Sequence, residues 1–195
     1  MTDRLDALLR IVDRISRLFA WAGGAILIAT TLVIIAEIIL RGVFSYALGL
    51  GFEMSGYTLA VCASWSFAYA LFRKAHIRID ALYVRLGKKA RIGLDLVALA
   101  AFTAFAILIA TAAVGVMLES LERGSLSNTP LKVPLWIPQL LWSVGLVWFA
   151  FAMAVLLLRV VVALVQGDDA QVQKLAGSST LDEQIEEEAP ELGSI

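Results

Sequence analysis

Glu37 lies well inside an apolar run, and an acid in that setting is the residue type that couples proton or ion movement across membranes. Arg41 follows at i+4 in the favourable acid-before-base order, so the two can pair and reach the membrane surface together. Glu53 opens the next apolar stretch, where a carboxylate meets the positive end of a helix dipole and can also face Arg41. These three residues are read as a structural charge group. Asp95 sits one turn into a later apolar stretch, with Arg91 at i−4 as its simplest partner. His76 stands between Lys74 and Arg78, a setting that disfavours its protonated form, and Asp80 is the one nearby carboxylate. A proton relay needs a chain of such groups, and none is visible. His76, Arg78, Asp80 and Arg85 are therefore expected to serve an interface.

The rest of the composition narrows the chemistry further. Of 195 residues, 60% are hydrophobic and 17% charged, against roughly 45–50% and about 25% in a soluble domain, which excludes a cytosolic enzyme. One Cys and one His cannot supply a disulfide, a Cys/His zinc site or the two imidazoles of a bis-histidine haem. No catalytic group, cofactor, metal or nucleic-acid partner is expected.

Four apolar stretches, 18–40, 54–72, 92–118 and 135–165, are each long enough to cross a bilayer. As helices they would measure roughly 35, 28, 40 and 46 Å against a hydrocarbon core of about 30 Å, so the last two must tilt or protrude. The first has too long an apolar run for a signal peptide and is expected to stay as an anchor. Thirteen Lys/Arg fall before the first stretch, between the second and third, and at the end of the fourth or beyond it, whereas Arg41, Arg123 and Lys132 alone fall on the other side. The positive-inside rule then puts both termini in the cytoplasm. The predicted fold is an all-α membrane protein of four transmembrane helices spanning 18–166.

Two shorter segments read as interfacial. Over 1–17, Leu5, Leu8, Val12 and Ile15 recur at helical spacing, with Asp6, Arg10, Asp13 and Arg14 on other faces, the pattern of a helix lying along the headgroups. Between spans two and three, Ile79, Leu82, Tyr83 and Leu86 repeat the pattern ahead of Gly87. The body of the chain carries fifteen basic and nine acidic residues, and its basic groups are expected to sit against anionic phospholipids. Residues 167–195 carry eight acids against Lys174 and are expected to form a disordered, solvated tail. Trp65, Trp142 and Trp148 lie too deep for an interfacial belt, and their indole N–H groups need partners on another protein or a neighbouring helix. Gly23, Gly24, Gly115 and Gly145 would permit close helix approach.

The order Glu37-x-x-x-Arg41-x-x-Phe44, then Glu53, Trp65 and the run FRKAHIRID from Phe72 to Asp80, resembles the small, DctQ-like membrane subunit of tripartite ATP-independent periplasmic (TRAP) transporters. TPLKVPLWIPQ, from Thr129 to Gln139, is similar to that family's outer loop and start of the fourth helix. The likeness covers about residues 18–160. At Gly51-Phe52-Glu53-Met54 the chain departs from the family's more usual aromatic residue with paired acids, and the acidic tail lies outside the family pattern.

The resemblance implies a small scaffold subunit in a bacterial inner membrane, bound to a large permease subunit. It further implies sodium-driven uptake of an organic acid delivered by a periplasmic solute-binding protein that docks transiently. Glu122, Arg123 and Lys132, in the external segments, are the residues expected to meet that receptor. The competing reading is a four-helix proton-coupled multidrug exporter using Glu37. Arg41 beside Glu37 and the strong Lys/Arg bias speak against it.

Overall fold

The structure, a computed structural model, describes residues 2–44, 50–74, 87–129 and 131–176. These residues form five helices and one isolated β-bridge: α1 Thr2–Phe44, α2 Leu50–Phe72, α3 Lys88–Glu122, α4 Trp136–Val165 and α5 Asp169–Ala176. Three of them, over Thr2–Val43, Lys89–Glu122 and Trp136–Val165, are long and apolar enough to cross a membrane. The sequence reading expects a fourth span over 54–72; α2, of 23 residues, covers that stretch, carries Glu53 and several Ser, Thr and Tyr residues, and is not among the three.

α1 is one uninterrupted helix of 43 residues, so the amphipathic segment 1–17 runs straight into the apolar segment without a break. No proline interrupts it. The expected interfacial helix between the second and third stretches falls on 75–86, outside the described residues.

Contacts fix how the helices run. From α1 to α2 the paired positions go from Glu37 with Gly51, through Thr30 with Thr58, to Phe19 with Trp65; one number falls as the other rises, so the pair is antiparallel. α1 is also antiparallel to α4, through Asp6 with Arg159 and Ser16 with Trp148. α2 and α4 run parallel, from Trp65 with Leu141 to Phe67 with Phe149. α3 packs along α4. Over its most apolar 18 residues α4 is 56% buried, against 28% for α3 and 17% for α1. α4 is therefore the core helix, and α1 and α3 turn most of their apolar surface outward, Trp21, Ile28 and Leu32 on α1 being clear examples.

The tightest crossing is between α2 and α4 at Gly145. A Cβ there would come within 2.6 Å of the Trp65 ring, 2.7 Å of Ser64 Oγ and 2.8 Å of the Ser64 carbonyl carbon. One helical turn away the Trp65 indole N–H donates to the Leu141 carbonyl at 2.8 Å, and Trp148 Nε1 donates to Ser16 Oγ at 2.9 Å. Trp65 and Trp148 thus find the neighbouring-helix partners that their depth demands.

The end of α4 corrects the tail boundary. Gly167, at φ +72°, donates to Leu164 O and Asp168 N donates to Ala163 O, the paired bonds of a Schellman stop. Asp168 then caps the next helix, its Oδ1 accepting the Gln171 N–H at 3.0 Å. α5 buries Val172 and Ala176, at 1% exposure each, against α3 and α4. The acid-rich segment beginning at 167 therefore starts with a packed helix: Val172, Leu175 and Ala176 form an apolar stripe that averaging over the whole segment conceals. Residues 177–195 lie outside the described residues.

Gly145→Ala is expected to destabilise the purified protein by about 1–3 kcal/mol, because Ser64 backbone must move to admit the methyl group. Gly115→Ala, where a Cβ meets nothing within 4 Å, should leave the thermal midpoint unchanged or slightly raised. Thermal unfolding in detergent measures both.

Candidate functional site

Polar side chains concentrate at the two ends of the bundle. At the end where α1 meets α2, Glu37 and Glu53 are both buried, at 8% and 7% exposure. A carboxylate removed from water needs hydrogen bonds to remain charged, and each finds them inside the chain. Glu37 Oε2 accepts the Gly51 N–H at 2.7 Å. Gly51 lies in the first turn of α2, whose amides have no partner within their own helix, so α1 supplies a charged cap to α2. Arg41, one turn beyond Glu37, is exposed.

Glu53 works in the other direction, toward the loop that joins α3 to α4. Its Oε1 accepts the Tyr57 hydroxyl at 2.6 Å, and its Oε2 accepts the hydroxyl of Thr129. A threonine hydroxyl has one hydrogen, so Thr129, having given it to Glu53, can only accept from Ser127 at 2.9 Å. Ser127 Oγ in turn accepts the Val133 N–H at 2.9 Å. The loop closes on itself through Ser127 N to Val133 O at 2.8 Å and Leu135 N to Ser125 O at 3.0 Å. One buried carboxylate thus organises a polar chain that runs from α2 through the loop's hydroxyls to its backbone.

The same loop carries the residues expected to meet a receptor. Lys132 is exposed and held at φ +44° by a turn in which its N–H donates to Thr129 O, so its placement depends directly on the residue that Glu53 grips. Glu122 and Arg123 are exposed at the end of α3. Arg123 pairs with Glu119 at 2.7 Å, an i,i+4 contact with both side chains more than half exposed, which contributes little stability.

At the opposite end, Arg159 is the buried charge. Its Nε donates to Asp6 Oδ1 at 2.7 Å and its Nη2 to Asp6 Oδ2 at 3.3 Å, a two-pronged contact that ties the start of α1 to the end of α4. Asp13 lies 3.6 Å from Arg73 and 3.8 Å from Arg17, and the Arg73 guanidinium sits over the Tyr69 ring. His76, Arg78, Asp80 and Arg85 lie outside the described residues. The structure therefore brings Glu53 together with Tyr57, Ser127 and Thr129, partners that sequence reasoning missed. It also gives Arg159, counted in the sequence only as one basic residue among many, a specific acid. A usable signal for Arg159 existed: an arginine inside an apolar run needs a partner.

Among the described residues no three His, Cys, Asp or Glu side chains gather as metal ligands. The polar clusters fasten helices and a loop to one another. An apolar groove of about 440 Å³ runs between α1, α3 and α4 past Phe19, Val114 and Trp148.

Long apolar helices, outward apolar faces and polar groups turned inward onto one another define a helical membrane protein. Residues 30–163 match the family described as tripartite ATP-independent periplasmic transporters, DctQ component, and the chain belongs to that family. It is a component of a membrane transporter. Comparison with curated proteins and with solved structures gives no match.

Glu53→Ala is expected to release the loop. Amide exchange over 125–135 should accelerate by about tenfold or more, as befits hydrogen bonds to a charged acceptor, while exchange in α4 stays the same. Thr129→Val should reproduce the effect and Arg123→Gln should not. Unchanged protection in Glu53→Ala would mean that the loop stands without the carboxylate.

Proposed function

We propose that this chain is the small scaffold subunit of a TRAP-type secondary transporter, a four-span protein of a bacterial inner membrane with both termini in the cytoplasm. In this reading it supports the large permease subunit during sodium-driven uptake of an organic acid that a periplasmic solute-binding protein delivers. The observation that carries the proposal is a division of labour within the family-matched region. Glu37, Glu53 and Arg159 each close contacts inside the chain, whereas the apolar faces of α1 and α3 stay uncovered. Surface of that kind suits lipid and a large membrane partner, and the polar residues suit a frame more than a conduction path.

Two arguments support the topology. α2 lies parallel to α4 and antiparallel to α1, so a bilayer that encloses those two helices encloses α2 as well, and its Thr58 and Ser64 face protein. The thirteen-to-three distribution of Lys/Arg then sets the orientation, with the 123–135 loop outside. Glu37, Arg41 and Glu53 serve as structural charges at the outer end, and Glu122, Arg123 and Lys132 offer individually placed charges to the docking receptor. His76, Arg78, Asp80 and Arg85 belong to the cytoplasmic interface, where anionic phospholipids accompany them. An exporter built on Glu37 would need that carboxylate open to a substrate, and one of its oxygens is already held by the Gly51 amide.

Reconstituted alone, the chain should take up no organic acid under a sodium gradient; with the permease and receptor, uptake should appear. Arg123→Glu with Lys132→Glu should slow uptake at limiting receptor and change its salt dependence while the membrane complex stays intact. Reporter fusions after Gly87 and after Asn128 should give opposite sides. Uptake by the isolated chain would overturn the scaffold assignment.

A further inference from the structure

The cytoplasmic end of the bundle contains a cleft that the scaffold role leaves without a task. It opens between α1, the end of α2, α4 and α5, has a volume of about 260 Å³, and is lined by Arg10, Asp13, Arg73 and Lys74 over an apolar floor that includes Leu71, Phe72 and Leu156. Three cations face one acid. Asp13 is engaged by Arg73 and Arg17, and among the described residues neither Arg10 nor Lys74 closes an ion pair. Among the described residues, Arg10 and Lys74 therefore stand beside apolar surface without a closed ion pair, Arg10 sharing the field of Asp6 with Arg159.

The backbone adds an independent observation. α2 ends with Arg73 N donating to Tyr69 O and Lys74 N to Leu71 O, which leaves Lys74 at φ +51°. That is the position at which a helix stop favours Gly or Asn, and here it is occupied by a lysine in the left-handed region. α5 completes the wall with Leu175, so the packing of that short helix builds the site.

We propose that this cleft binds one anionic phospholipid, its phosphate against Arg10 and Lys74 and an acyl chain along Leu71, Phe72 and Leu156. The charge calls for an anion, and the apolar floor beneath it calls for a ligand with hydrocarbon attached. The cleft is smaller than the ~300 Å³ at which pockets for drug-sized ligands begin, so it holds a headgroup while the chains run out along the helices. Basic pockets between membrane helices on the cytoplasmic side recognise phospholipid headgroups by this combination. The inference rests on the membrane orientation proposed above. It is tested on binding alone, so its failure would leave the subunit assignment standing.

The experiment is native mass spectrometry of the full-length chain in detergent, offered equal amounts of phosphatidylglycerol and phosphatidylcholine with identical acyl chains. The wild type should retain one phosphatidylglycerol with a preference of about tenfold or more. Arg10→Gln with Lys74→Asn, the Asn chosen because it tolerates positive φ, should bring the preference near parity without lowering the thermal midpoint. The matched pair Arg123→Gln with Lys132→Asn, at the other end, should keep it. Three results would overturn the proposal: a preference that survives in the Arg10/Lys74 variant; displacement of phosphatidylglycerol by sn-glycerol 3-phosphate, which would make a free phosphate the ligand; or a preference that appears only in a chain ending at Ala176, which would make the acidic tail the occupant.

Discussion

Gly145 lets Ser64 and Trp65 of α2 lie against the backbone of α4, and this close approach sets the register of the other helices. Because α4 is the most buried helix, its neighbours are placed by how they meet it: α2 through the Gly145 crossing and the Trp65–Leu141 hydrogen bond, α1 through Trp148–Ser16 and Arg159–Asp6. In a membrane, apolar burial does not drive helices together, since lipid is as apolar as leucine. Close contact and hydrogen bonds must do that work. A residue without a side chain at the crossing, with indole donors one turn to either side, supplies both.

The buried charges follow from the same constraint. Glu37 accepts the free Gly51 amide at the start of α2, Glu53 collects the hydroxyls of Tyr57 and Thr129, and Arg159 is gripped by Asp6. Each joins segments that are far apart in sequence or in space: helix to helix start, helix to loop, first helix to last long helix. In the proposed function these charges hold the frame together. The Glu53 network also couples the frame to the exposed loop, since the turn that orients Lys132 begins at Thr129.

The all-helical architecture was legible in the sequence because long apolar runs are a one-dimensional signal. The partners of the charges were not. Glu37 has Arg41 four residues away in sequence, but the amide it caps belongs to the next helix, across a turn. Asp6 and Arg159 are 153 positions apart, and no local spacing relates them. Glycine shows the same limit: Gly24, Gly115 and Gly145 look alike in sequence, yet only Gly145 sits at a crossing, while the other two face open space. Composition misled at residue 167 because eight acids outweighed a three-residue apolar stripe and an Asp cap in the average.

The central claim is that the buried charges fasten the bundle and carry no part of transport. Replacing the Asp6–Arg159 pair by apolar side chains of similar size, Asp6→Leu with Arg159→Met, tests it most directly, because an ion pair with a buried arginine, exchanged as a unit for good packing, costs little or no stability. Measured in the assembled transporter with its receptor, the double variant should show wild-type complex yield and wild-type sodium-driven uptake. A complex that assembles normally but has lost uptake would contradict the account.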